Sequence, residues 1–252
     1  MFVNLMILLS EKLICDEKIL LNIIVFISMA TEVISGKQRS LAGNVGLGFF
    51  AFSFILIFIA FCTTSWLVSD RRITGANLNR LGLWTHCFRS IKNPYRDQFF
   101  VGCRWLFDPF TSGYDELRGF LEPGFMITTQ IFFTLCFIAA LVCAILSLLY
   151  FLCCGPEQEQ FTTLVQLNAY ILLAGGLSGG IAVIVFAIFG NTNGWMPGHD
   201  NNFFGYSFVL ACVGTVAMLV ASFLFLTDLY IHQKKRKELK ESQARFNLES
   251  RG

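Results

Sequence analysis

Four long apolar runs dominate the chain, at about Gly43–Leu67, Phe125–Leu152, Leu164–Phe189 and Gly205–Ile231. Each exceeds the roughly 20 residues a helix needs to cross a hydrocarbon core. Backbone groups in lipid have no water to bond, so each run predicts a transmembrane helix. Run length carries this reading, because a helix apolar on all sides shows no periodic stripe. The pattern divides the chain into a segment 1–42, a four-span domain 43–231 and a tail 232–252. Two loops, 68–124 and 190–204, lie on one side of the membrane, and the turn Cys154–Gln160 lies on the other.

Composition agrees, with 55% apolar and 14% charged residues in 252, too greasy a balance for an ordinary soluble domain. Charge then sets the orientation. The tail from Gln233 onward carries seven Lys or Arg against three Glu, including Lys234, Lys235, Arg236 and Lys237, which predicts a cytosolic tail. Four spans return the amino-terminal segment, with Lys37 and Arg39, to the same side and place both loops outside. The first loop has eight basic residues against this orientation, but six acids accompany them, and its length is near the point at which charge stops deciding translocation.

The first thirty residues hold two apolar runs too short to span, Phe2–Leu9 and Ile19–Ala30, separated by Glu11, Lys12, Asp16, Glu17 and Lys18. A cleaved signal is one reading, with Ser28 and Ala30 as the small residues before the cut. It would put Thr31–Ala42 outside, against the topology. The topology favours the other reading, in which Met29 is a natural start and residues 1–28 are an upstream extension.

Of nine cysteines, only Cys87 and Cys103 fall in the outer loops, the oxidising side, so they are expected to pair. Such a bond closes a loop of about 15 residues and contributes roughly 3 kcal/mol in chain-entropy models. Cys62, Cys136, Cys143 and Cys212 lie within spans and read as small apolar filler. Cys153 and Cys154 end the second span at its cytosolic edge, where they are candidates for palmitoylation.

The first loop reads as β. Leu78–Phe88 and Phe99–Phe107 are rich in aromatic and aliphatic residues, and Asn93-Pro94 marks a turn between them. The two cysteines sit in these two runs, so the bond would join neighbouring strands. Asp115, Glu116 and Arg118 alternate with Leu117 and Phe120 as a short amphipathic helix at 114–121 would.

Trp66 at the outer end of the first span, then Gly82-Leu83-Trp84, Cys87 and Cys103, form an ordered set. With four spans, a large first loop, a short second loop and Arg118 ahead of the second span, the chain resembles the claudin and peripheral myelin protein superfamily, over essentially Leu41–Tyr230. The resemblance implies a left-handed four-helix transmembrane bundle carrying a small extracellular antiparallel sheet, with strands from the first loop and one from the second. Trp66 and Trp84 would be amphipathic rings anchoring that sheet at the headgroup level. The longer Cys87–Cys103 interval, the terminus Glu249-Ser250-Arg251-Gly252 without an apolar last residue, and the second loop Gly194–His199 depart from most vertebrate claudins. The longer interval and the second loop look more like the divergent invertebrate claudin-like proteins of septate junctions, the Pasiflora group.

Gly175, Gly176, Gly179 and Gly180 form two overlapping Gly-xxx-Gly pairs on the third span, a helix-packing signature. The partner is a helix of the same chain or of a neighbour, the same chain being favoured. The spans carry no Lys, Arg or Glu, and Asp228 only at the last cytosolic edge. This argues against an enzyme, a transporter or a channel through the bundle, each of which needs convergent polar groups. No metal-ligand spacing, phosphate loop or nucleic-acid patch stands out, so no cofactor is expected. The expectation is a junction protein at lateral cell contacts. Its loops would join claudin-like copies within and between membranes through edge strands and Phe99, Phe100, Phe203 and Phe204, restricting the gap to solutes. The alternative is an auxiliary subunit of a channel or receptor with the same fold. A tetraspanin is disfavoured, since its large loop follows the third span.

Overall fold

The computed structural model describes residues 40–70, 78–92, 99–106, 122–152, 159–192, 195 and 201–249. Arg118, Cys153, Cys154, the 114–121 segment, the Asn93-Pro94 turn and residues 1–39 lie outside them.

Among the described residues four helices are long and apolar enough to cross a membrane: α1 Leu41–Cys62, α2 Gly124–Leu152, α3 Glu159–Phe189 and α4 Tyr206–Glu249. The described residues also form five strands: β1 Leu67–Ser69, β2 Leu78–Leu81, β3 Thr85–Lys92, β4 Phe99–Trp105 and, between α3 and α4, β5 Asn202–Phe204. They form one antiparallel sheet in the order β4-β3-β2-β1-β5. The expected class therefore holds, a transmembrane four-helix bundle with a small sheet built from both loops.

In the bundle α1 packs chiefly on α4, α4 on α3 and α3 on α2. The α1–α2 seam is closed by rings: Phe61 stacks on Phe137 at 4.3 Å and 9°, and Phe58 meets Phe137 at 6.1 Å. The glycines of α3 let this order form. A Cβ on Gly175 would come within 2.6 Å of Met218 and 2.7 Å of Ala139, and one on Gly179 within 2.8 Å of Cys136. Gly175 and Gly179 thus seat α3 against α2 and α4 of the same chain. The second pair divides: Gly176 abuts Leu219 of α4, whereas a Cβ on Gly180 would meet nothing within 4 Å. Cys136 and Cys143 are buried filler, as expected.

Three boundaries differ from the sequence expectation. Helix α1 stops at Cys62, short of Leu67. Thr63 turns extended, and both its N–H and its hydroxyl bond the Ile59 carbonyl, which frees Leu67 to open β1. The 78–88 run is two strands rather than one, broken at Gly82-Leu83-Trp84. Finally α4 does not end near Ile231 but continues through the basic tail to Glu249 as one helix of 44 residues. At 1.5 Å per residue that is about 66 Å, roughly twice a hydrocarbon core. From Gln233 on, the tail is rich in good helix formers (Lys, Arg, Glu, Leu, Ala, Gln), and no Pro or Gly interrupts it before Gly252.

Candidate functional site

Of the motif residues, Trp66 and Gly82-Leu83-Trp84 meet where the sheet sits on the bundle. Trp66 lies in the link between α1 and β1 and is fully buried. Its indole N–H donates to the Ala60 carbonyl at 2.8 Å. Its ring stands edge-on to Phe133 at 5.0 Å and to Phe186 at 5.1 Å, with Phe208 at 5.9 Å. This corrects the headgroup-anchor expectation for Trp66: once α1 ends at Cys62, the chain turns back over the bundle and the indole drops between α2, α3 and α4. An internal carbonyl, not interfacial water, satisfies its N–H. Trp84 is half-buried and lies 5.5 Å from Phe61.

Around Trp66 the backbone is bonded from both directions. Its N–H donates to Leu81 at 2.8 Å, and its carbonyl accepts from Gly205 at 3.0 Å. Gly82 turns the chain so tightly that a Cβ there would lie 2.8 Å from the Thr64 Cα, and its N–H closes on the Thr85 carbonyl at 2.9 Å. No side chain fits there. The Leu83 carbonyl accepts from the Gln130 amide of α2 at 2.8 Å, and Glu122 accepts from the same amide at 3.3 Å. Ser207 at the start of α4 ties the other side, its hydroxyl 2.6 Å from the Thr63 hydroxyl and accepting from the Ser65 N–H at 3.2 Å.

The Gly-Leu-Trp motif is therefore a hinge pin between sheet and bundle. Gln130, Gly205 and Ser207 take part in it and were not picked out beforehand. A lone Gln and a Ser inside apolar spans were the available signal, since polar side chains in lipid seek partners.

Away from the pin, Cys87 of β3 faces Cys103 of β4 in direct register and the two are disulfide-bonded. Cys87 is buried and Cys103 exposed, so the bond fixes the outermost strand to a buried one. Also on β3, His86 is fully buried, near Phe88. Burial disfavours its imidazolium and lowers its pKa from 6.5 to about 4.

Among the described residues no strand pairs with the outer side of β4 or β5, while the Asn191 amide donates to the Asn202 carbonyl of β5 at 3.0 Å. On β4, Phe99 is 67% and Val101 66% exposed, with Gly102 and Arg104 also exposed. Gly102 has φ +109° with open space around it, beside a register shift between Phe88 and Ile91. On β5, Phe203 is 53% exposed. Phe204 instead points inward and stacks on Phe208 at 4.6 Å, which removes it from the expected aromatic tip. The side chain of Phe100 lies outside the described residues. Among those residues no three His, Cys, Asp or Glu are grouped to hold a metal ion.

Fold and pinned sheet together define a class: a tetraspan membrane protein whose disulfide-stapled sheet is locked to one end of its bundle. A family model described as PMP-22/EMP/MP20/Claudin tight junction matches residues 51–227. The chain belongs to that family. No curated protein matches it.

Proposed function

We propose that the protein organises a barrier between neighbouring cells, with its sheet outside, both termini in the cytosol, and the sheet edges joining further claudin-like copies within one membrane and across the gap. The two edge strands carry this reading. Among the described residues no further strand pairs with either edge, and each edge carries exposed apolar side chains, Phe99 and Val101 on β4 and Phe203 on β5. Edges of that kind recruit another strand unless guarded by charge, proline or a cover. The basic tail supports the orientation, and the locked junction holds both edges in a fixed attitude to the membrane.

Septate-junction placement rests on the long Cys87–Cys103 interval and the second loop. Charge selectivity is not part of the proposal.

Localisation of the tagged protein in a polarised epithelium, with dye permeation after depletion, tests the proposal. Concentration at lateral contacts and a leaky layer are expected. Uniform membrane staining with an intact seal, and a channel co-purifying in fixed ratio, would replace it with the auxiliary-subunit reading.

A further inference from the structure

The end of the bundle away from the sheet holds a buried carboxylate. Asp228 of α4 is fully buried, an expensive place for a charge unless specific partners face it. One oxygen has them: Asp228 Oδ1 accepts from the hydroxyl of Ser40 and lies 3.4 Å from His232 Nε2, one turn further along α4. The other, Oδ2, is buried, has no hydrogen-bond partner among the described residues and is aimed at the first turn of α1, where a Cβ on Gly43 would stand 2.8 Å from it.

Ser40 is also the N-cap of α1, with extended backbone at φ −67° and ψ 149°, its Oγ accepting from the Gly43 N–H at 3.1 Å. One half-buried hydroxyl thus caps α1 and bonds α1 to α4. In the sequence it stands in Lys37-Gln38-Arg39-Ser40-Leu41. Basic residues one and three positions before a serine are a charge pattern that acidic kinase grooves select.

We propose that Ser40 is a phosphorylation site, and that its phosphate opens the α1–α4 clasp by opposing the buried Asp228 carboxylate. In the transfer, the γ-phosphoryl group of a nucleoside triphosphate passes to Ser40 Oγ. The Oγ–P bond forms, the bond from phosphorus to the bridging oxygen breaks, the nucleoside diphosphate leaves, and the hydroxyl proton goes to solvent. The modified oxygen can no longer donate to Asp228 Oδ1, and a group of nearly two negative charges stands against a carboxylate.

Two favourable terms oppose the opening, the α1 N-terminus and His232. The helix terminus acts as about half a charge and already faces Asp228. At contact range and low dielectric the repulsion between two anions exceeds it severalfold. The outcome is separation of the α1 start from α4, at the opposite end from the sheet.

The site requires Ser40 on the cytosolic side and so rests on the orientation proposed above. Thermal unfolding of the full chain in detergent micelles tests the clasp without that assumption. Ser40→Asp and Ser40→Asn both keep an N-cap side chain, but only the first adds charge. Ser40→Asp is expected to lower the midpoint clearly below that of Ser40→Asn, and Asp228→Asn combined with Ser40→Asp to recover the difference. Equal midpoints for the two Ser40 variants, or no recovery, would overturn the electrostatic clasp.

Incubating the solubilised protein with a basic-directed serine kinase and nucleoside triphosphate, followed by peptide mass spectrometry, tests the site. Phosphate on Ser40 is expected, and its absence while tail serines label would overturn the assignment. Repeating the labelling on sealed cells separates the two proposals. Protection of Ser40 until permeabilisation supports both, whereas labelling from outside keeps the site and overturns the orientation.

Discussion

The two ends of the bundle hold their helices together by opposite means. At the sheet end, Trp66, Gly82, Gln130, Gly205 and Ser207 converge from the first loop, α2 and the link into α4, and nearly every bond runs through backbone or a fully buried ring. At the far end the Ser40 hydroxyl and the Asp228 carboxylate are the polar link between α1 and α4 among the described residues, beside the close approach of Gly46 to Leu224, and α4 then runs on with its residues from Lys234 mostly exposed. Redundant, buried contacts make a rigid mount. A single polar contact at a helix start makes a place where one charge can matter. The difference matches the tasks proposed for each end, presentation of two sheet edges on one side and regulation on the other.

The comparison is broken most strongly at Trp66. Trp66→Ala removes a fully buried ring contacting three helices and is expected to cost about 3–5 kcal/mol. Chemical unfolding of the purified chain would measure the loss. A membrane-belt residue would lose far less, so a cost below about 1 kcal/mol would restore the interfacial reading of this tryptophan.

Next come two effects of similar size confined to the sheet. Removing the Cys87–Cys103 bond is expected to cost about 3 kcal/mol. Protease cutting near β4 should rise while the helices stay protected, because the bond holds the exposed strand and no part of the bundle. His86 gives the pH counterpart. Its pKa is about 4 in the folded sheet and 6.5 when exposed, so the unfolded form takes up the proton first as pH falls. Stability is complete above about 6.5 and declines toward 4, a loss of about 3 kcal/mol at 1.36 kcal/mol per unit. His86→Leu, whose side chain does not titrate, should flatten that decline. A profile unchanged by the substitution would show that some other group sets it.

The sequence made the spans legible because run length alone decides them, and the disulfide legible because compartment chemistry left two candidates. It hid what depends on contacts between distant residues. Whether the Trp66 indole faces lipid or core turns on a helix end set by the Thr63 hydroxyl, and no hydropathy pattern records that. The Gly-Leu-Trp motif could be recognised but not explained, since its partners Thr64, Gln130 and Thr85 are brought in by the fold. Asp228 looked like an edge residue, because its partner Ser40 lies 188 positions away. The α4 extension carries no apolar stripe to advertise a helix, so local propensity was its only signal.

The smallest effect separates glycines that the sequence could not tell apart. Gly179→Ala forces a methyl within 2.8 Å of Cys136 and 3.1 Å of Thr215, so α3 must shift from α2 and α4, and stability in detergent should fall by about 1–3 kcal/mol. Gly180→Ala meets open space and replaces a poor helix former by a good one, an expected gain of up to about 1 kcal/mol. For the isolated chain the two variants therefore move in opposite directions. In the assembled membrane the same pair asks whether a neighbouring chain uses the open groove. If Gly180→Ala leaves the isolated protein intact but disperses its clusters, a second backbone packs there, and the rigid end of the molecule would not be its sole point of assembly.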